Sequence, residues 1–298
     1  MKKEIKNIAT SVRARLINIA NESKRDYNAL LRLYFQERFL YRLSISRYKP
    51  KLILKGALLL MINDISKFRP TKDIDFLGKA VSNEMNDCKE IIKEIASIDA
   101  GDGVEFIVDN ISTEKIKEDA DYEGVRVHLP YKMDTIKGYF SIDIGFGDKI
   151  VEGPFEMEFP ILLDFPSPHI LVYSLESAVA EKFEAIVKLN FLTSRMKDFF
   201  DLLFIAERTA FKKNTLKEAL LVTFNNRETD LKERHLIYEE SFKQNSQKQI
   251  QWASFLERNK LNAENNFSKV VDKINLFIEP LFGDEAKNNW NNKVWKWN

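Results

Sequence analysis

A single cysteine, Cys88, stands in 298 residues, so no intrachain disulfide can form and a multi-thiolate metal site is excluded. Such cysteine poverty suits a reducing cytoplasm. The three histidines, His128, His169 and His235, are too scattered in sequence to suggest a zinc site. Long apolar runs are missing as well. The most apolar stretch, Leu52 to Ile65, is interrupted by Lys55, Asn63 and Asp64 and is too short to span a bilayer. The basic start has no apolar run behind it, so no signal peptide is expected, and a soluble cytoplasmic protein with no membrane partner follows. Gly-X-X-X-X-Gly-Lys-Ser/Thr, Gly-X-Gly-X-X-Gly and Gly-X-Ser-X-Gly are all absent. Their absence argues against Walker-type NTPases, dinucleotide enzymes and serine hydrolases of the elbow type. There is no internal repeat and no low-complexity tract.

What is present is a foldable chain with an uneven charge. Hydrophobic residues make up 44%, enough for a sizeable core in one large or two modest domains. The net charge of +1 conceals 14 Lys/Arg against 4 Asp/Glu in residues 1–55, a balance of +10 that leaves −9 for residues 56–298. A basic N-terminal segment beside an acidic site suits a polyanionic partner; solvated helix faces would give the same count.

The chain is organised around Lys55-Gly56-Ala57 and Arg69-Pro-Thr-Lys-Asp73-Ile-Asp75-Phe76. The second segment reads as a strand on which Asp73 and Asp75 share one face while Ile74 and Phe76 share the other. Two adjacent carboxylates repel unless a cation neutralises them. Gly56 lets the backbone approach a phosphate, and a helix expected over Ala57–Ile65 offers its first amides to the anion. Phosphate cradle plus paired metal carboxylates is the apparatus of nucleotidyl or phosphoryl transfer. Tyr139–Phe146 repeats the split, with Phe140, Ile142, Ile144 and Phe146 on one face and Asp143 on the other. Asp143 therefore becomes a candidate third ligand.

Helical spacing is expected over residues 4–21, Tyr27–Leu43 and Glu84–Ile98, the last with Met85, Cys88, Ile91, Ile92 and Ile95 inside. Val104–Val108 and Val125–Leu129 alternate as strands. Half of the prolines fall between Pro154 and Pro168, where little regular structure is expected. This crossing divides an α/β domain with basic N-terminal helices, 1–165, from a helical domain, 166–298. Helices are expected over Ser174–Leu189, Ser194–Arg208, Leu216–Phe224, Gln249–Asn259 and Ala263–Phe282, and no account offers itself for the Trp- and Asn-rich end.

Two charged positions break their own pattern. Lys182 falls in the stripe defined by Leu175, Val179, Ile186 and Leu189, whereas Glu181 and Glu184 lie on the polar side. Either the lysine snorkels outward or something negative meets it. On the next helix Asp198 and Asp201 share a face at i and i+3. They offer that charge, as a structural ion pair or as part of a nucleotide pocket.

With these residues in view, the chain resembles the AbiEii/AbiGii toxin family of nucleotidyltransferases, the toxin half of bacterial toxin–antitoxin and phage-defence pairs, related to the MenT toxins. The resemblance rests on Leu54-Lys-Gly-Ala57, Arg69-Pro-Thr-Lys-Asp-Ile-Asp-Phe-Leu-Gly78 and Tyr122-Glu-Gly-Val-Arg-Val127. It continues through Ile142-Asp-Ile-Gly-Phe-Gly-Asp148, Ala180-Glu-Lys-Phe-Glu-Ala185 and Ser194-Arg-Met-Lys-Asp-Phe-Phe-Asp-Leu202. It implies an α+β fold, a nucleotidyltransferase-like N-terminal domain with a mixed β-sheet flanked by helices, plus a helical C-terminal domain. It implies Asp73 and Asp75 as metal ligands for Mg²⁺ or Mn²⁺, and Gly56 as the phosphate-loop glycine. Lys182 would be the motif lysine that contacts the triphosphate, and Asp198 a catalytic or nucleotide-positioning acid with Arg195 and Lys197 beside it. Lys55, Ala57, Arg69 and Lys72 complete the expected nucleotide site. The wider superfamily has Gly-Gly or Gly-Ser where this chain has Gly56-Ala57, so the phosphate contact there falls to backbone amides. An NTP, an RNA acceptor (the 3′ end of tRNA) and a winged-helix antitoxin are the implied partners. Arg13, Arg15, Lys24 and Arg25 would grip the RNA phosphates. A non-catalytic NTP- or RNA-binding member, and a transferase that modifies protein hydroxyls, are the alternatives.

Overall fold

The computed structural model describes residues 7–62, 69–117, 123–283 and 287–298, which form two compact units. Met1–Gly147 with Pro154–Val172 makes the first, and Asp148–Gly153 with Tyr173–Asn298 the second.

The first unit begins with α1 (Ile8–Ser23) and α2 (Tyr27–Ser44), each capped by a side chain at the expected kind of position. Asn7 accepts from the Thr10 amide at 3.0 Å and Asp26 from the Ala29 amide at 2.8 Å, which supplies partners for first-turn amides. β1 (Leu52–Lys55) runs directly into α3 (Gly56–Met61), followed by β2 (Asp73–Gly78) and α4 (Met85–Ala96). The helix expected through Ile65 is seen to Met61, and Asn63 to Ile65 lie outside the described residues. On α4, Cys88, Ile92 and Ile95 are buried, but Met85 is exposed and Ile91 only half-buried, because both sit at the edges of the stripe.

β3 (Glu105–Phe106) is shorter than the alternation over Val104–Val108 suggests, since the chain tightens into a 3₁₀ turn at Val108–Asn110. β4 (Ser112–Lys117), β5 (Glu123–Met133) and β6 (Ile136–Gly145) follow. The proline-rich stretch, where little regular structure was expected, holds an antiparallel pair, β7 (Phe155–Glu158) and β8 (His169–Val172). Its prolines fall outside both strands and β7 is the sheet's last strand, where missing donors are tolerated.

The resulting sheet is mixed, in the order β3-β5-β6-β2-β1-β8-β7 with β4 also on β5. β2–β6 and β1–β8 pair in parallel and β1–β2 and β5–β6 antiparallel. One face is apolar throughout: Ile74, Phe76, Val125, Val127, Leu129, Phe140, Ile142 and Ile144 are buried. Phe35 and Phe39 of α2 meet it, with Phe35 stacked on Tyr131 and Phe39 edge-on to Phe140. Burial of each such side chain stabilises the fold by about 2–3 kcal/mol. The opposite face carries the polar residues of the site.

Part of the basic N-terminal charge turns inward. Arg38 and Arg42 are buried on α2 and share Asp102, with Arg42 donating to both carboxylate oxygens at 2.7 and 3.0 Å and Arg38 to one at 2.9 Å. Burial pushes the Asp102 carboxyl up, but the two guanidiniums outweigh it and hold it below its ordinary value. Glu37, fully buried, accepts from the Leu162 amide at 2.8 Å and so ties α2 to the segment before β8.

The second unit contains α5 (Leu175–Leu189), α6 (Met196–Arg208), α7 (Lys213–Asn226), α8 (Glu240–Lys243), α9 (Ser246–Asn259) and α10 (Phe267–Ile278). The Trp-rich end folds into a small hairpin, β9 (Trp290–Asn291) with β10 (Lys296–Trp297). Trp290 donates to the Ala206 carbonyl at 2.8 Å and Trp297 to that of Phe277 at 2.9 Å, so the hairpin closes over α6 and α10. Among the described residues no helix is long and apolar enough to cross a membrane.

Candidate active site

The polar face of the sheet in the first unit is ordered by strand register. Glu114 on β4 lies opposite Arg126 on β5, Arg126 opposite Asp143 on β6, Asp143 opposite Asp75 on β2, and Asp75 opposite Lys55 on β1. One charged row thus crosses five strands. The next row holds Ser112, His128, Ser141 and Asp73. Period-2 alternation puts both rows on the same face, away from the apolar core.

Gly56 is required twice. Its φ is +66°, a conformation open chiefly to glycine, and a Cβ there would sit 2.0 Å from Asp75 Oδ2. The Asp75 carboxylate therefore lies over the start of α3, where only a hydrogen leaves room for it. Lys55 reaches across the same face: a Cβ on Gly145 would come 3.7 Å from its Nζ. Ala57 is buried, Arg69 is buried just ahead of β2, and Lys72 is exposed on the strand's approach. The Gln36 amide, buried on α2, donates to the Asp73 carbonyl at 3.5 Å and braces the strand's first residue.

Asp143 stands where the alternation places it, but its carboxylate is engaged. Arg126 donates from Nε to Oδ1 at 2.8 Å and from Nη2 to Oδ2 at 2.7 Å. Those bonds raise the Arg126 pKa above its ordinary value, with Asp73 adding to the effect through space. Among the described residues no three His, Cys, Asp or Glu side chains form a group that could hold a metal. The donor set nevertheless suits Mg²⁺. That ion keeps several waters and takes one or two carboxylates plus substrate phosphates, which is what Asp73 and Asp75 on one strand face can offer. Asp143 offers them only the lone pairs that its two bonds to Arg126 leave over. Sequence reasoning missed Arg126. Val125 and Val127 mark its outward direction, but its register opposite Asp143 is a tertiary fact.

The second unit holds the other motif residues. Lys182 is 12% exposed in its side chain and does not snorkel. It lies 3.3 Å from Asp198 Oδ1 and 2.6 Å from Asp201 Oδ2. Arg195 closes the cluster at 2.6 Å from Asp198 Oδ2, with Asp198 in the first turn of α6, where the helix dipole favours a negative charge. Burial pushes the Asp198 carboxyl up, but Lys182, Arg195 and Lys197 together hold it well below the usual carboxylate range. Lys197 itself is exposed.

On the same helix as Lys182, Glu184 is buried, although its position on the helix reads as polar. Arg227 explains this, because it meets Glu184 at 3.0 Å, Glu181 at 3.4 Å and Asp148 at 3.0 Å. Nothing in the sequence marks Arg227, which follows the end of α7. The turn between α5 and α6 is fixed from below by Lys248 of α9, which donates to the carbonyl of Phe191 at 2.8 Å and to that of Thr193.

Comparison with known proteins places these residues in a family. The model of the nucleotidyl transferase AbiEii toxin of type IV toxin–antitoxin systems matches residues 38–273, which include both charged clusters. No curated protein matches the chain. Two solved structures resemble it at 16% identity. One is a candidate nucleotidyltransferase from H. pylori (TM-score 0.48, 86% of this chain and 95% of the other). The second is JHP933 from Helicobacter pylori (TM-score 0.44, 87% and 99%). The chain belongs to the AbiEii family and is a nucleotidyltransferase toxin of a toxin–antitoxin system.

Proposed function

We propose that this transferase moves a nucleoside monophosphate from an NTP to the 3′ end of an RNA, with tRNA as the acceptor and Mg²⁺ bound by Asp73 and Asp75. The observation that carries the reading is the seating of the Asp75 carboxylate over Gly56, beside Asp73 on the same strand face. In the reaction the acceptor's 3′-oxygen forms a bond to the α-phosphorus. The α–β anhydride bond breaks, pyrophosphate leaves, and the hydroxyl proton passes to solvent. Bound Mg²⁺ supplies charge neutralisation on the phosphates.

The chain's own residues do the positioning. Backbone amides from Gly56 and Ala57 face the phosphates, and Lys55, Arg69 and Lys72 lend positive charge. Lys182 serves as the motif lysine for the triphosphate, with its ammonium held in one place by Asp198 and Asp201. Asp198, whose proton affinity is suppressed by two cations within bonding distance, is a poor base and acts by holding Lys182 and Arg195. Lys197, exposed next to it, meets solvent-borne phosphate. Modification of a tRNA end would block charging, and a winged-helix antitoxin encoded alongside would restrain the enzyme in the cytoplasm, as suits a phage-defence pair.

The test is direct. Radiolabelled NTP, Mg²⁺ and total tRNA should give labelled RNA with the wild type and none with Asp73→Ala. Unlabelled RNA with all four NTPs overturns the reading, and label in protein instead of RNA assigns the activity to protein hydroxyls.

A further inference from the structure

Beyond the two rows that hold the acids, the polar face continues along the β5–β6 hairpin. Pro130 lies opposite Tyr139, and Lys132 opposite Lys137, all on the side of Arg126, His128, Ser141 and Asp143. Each row is two residues further along, about 7 Å. β2 starts at Asp73, opposite Ser141, so the Tyr139 and Lys137 rows extend past the end of that strand. From the acids outward the strip reads Asp75 with Asp143, then Asp73 with Ser141 and His128, then Tyr139, then two lysines.

Three features of the strip are unlike an idle strand surface. Tyr139 is 64% exposed on a strand whose inward neighbours Phe140 and Ile142 are buried. Its ring is held edge-on to His128, with centroids 5.8 Å apart and planes at 82°. His128 in turn is fixed between Ser141 Oγ at 3.2 Å from Nδ1 and Glu114 at 3.4 Å from Nε2. An aromatic face positioned one row from a transferase's acids suits a nucleobase, because stacking accepts any base. The lysines beyond it suit the phosphates that follow; Lys137 is exposed, and Lys132 is paired with Glu105 at 2.8 Å.

We propose that this strip binds the 3′ end of the single-stranded RNA acceptor, with the terminal base stacked on Tyr139 and the preceding phosphates on Lys137 and Lys132. This rests on the transferase reading above and names the surface through which the acceptor reaches it.

The test measures RNA and NTP separately. Tyr139→Ala should raise the KM for RNA about tenfold, leave the KM for NTP and the melting temperature unchanged, and be rescued by Tyr139→Trp. Replacing Lys132 and Lys137 by Gln should flatten the salt dependence of binding to a short 5′-fluoresceinated single-stranded RNA by about 1.4 units of slope. Wild-type transfer with an unchanged RNA KM in Tyr139→Ala overturns the strip alone. Failure of the wild type to label RNA overturns the transferase reading, while the fluorescent RNA still reports on the strip: binding indifferent to Tyr139 and both lysines overturns it. Loss of antitoxin binding with unaltered RNA binding in Tyr139→Ala assigns the patch to a protein partner and overturns it too.

Discussion

At the scale of single residues, two positions carry sharp expectations. Gly56→Ala adds a methyl where Asp75 Oδ2 already lies, at a φ that disfavours any side chain. The backbone term costs about 1–2 kcal/mol, and the displaced carboxylate should lower transfer by orders of magnitude. A thermal melt and a label-transfer assay on the same sample check both, and near-normal activity would show that the seating of Asp75 is dispensable. Lys182→Met leaves Asp198 and Asp201 buried with less cationic charge, at a cost of about 3–5 kcal/mol. Adding Asp201→Asn removes one of those charges, so the double variant should regain stability on the melt without regaining transfer. Parallel recovery of both would reduce Lys182 to a structural ion pair.

Local residue patterning showed part of this. The placement of Asp73 and Asp75 away from Ile74 and Phe76 follows from strand alternation, as does the outward direction of Asp143. That Arg126 grips Asp143, and that Arg227 pulls Glu181 and Glu184 inward, depends on partners brought from other elements. No local pattern contains such pairings.

Among the elements, helices with caps and one-sided stripes were legible, while several short strands were not. β7 and β8 are hidden by flanking prolines, and the Trp hairpin is built of two-residue strands too short for any periodicity. α2 shows what a stripe conceals, since its polar residues Glu37, Arg38 and Arg42 are as buried as its leucines. Burial lifts the Glu37 carboxyl to about 7, against the Leu162 amide and Arg38, which lower it. The folded chain keeps a proton there that the unfolded chain releases near 4.5. Its contribution is complete below that value and is lost as pH rises through about 7, amounting to about 3 kcal/mol at most. Glu37→Gln should therefore melt progressively higher than the wild type between about pH 5 and pH 8. A pH-independent gap would place the proton elsewhere.

On the scale of the whole molecule, the basic N-terminus was visible as a charge count but not as a surface. Arg38 and Arg42 are internal and Arg15 pairs with Asp164, whereas among the described residues Arg13, Lys24 and Arg47 are exposed. The α+β class, the mixed sheet and the helical C-terminal region were all readable from pattern and resemblance. Ligand linkage tests the whole chain at once. Mg²⁺ with saturating NTP at a hundredfold excess over Kd should stabilise the wild type by about 2.7 kcal/mol, seen as a higher melting temperature. Asp75→Asn should lose most of that rise, and EDTA should stop label transfer. An undiminished rise in the variant would move the nucleotide away from β2.

Lys248 gives the turn between α5 and α6 an anchor 55 residues away from Thr193 in sequence. Two carbonyls rest on a single ammonium, and Arg195 leaves the turn two residues later. A substitution on α9, remote from any recognised motif, would therefore loosen the arginine that steadies Asp198. Variation in that helix becomes a way of tuning the toxin without touching its signature residues.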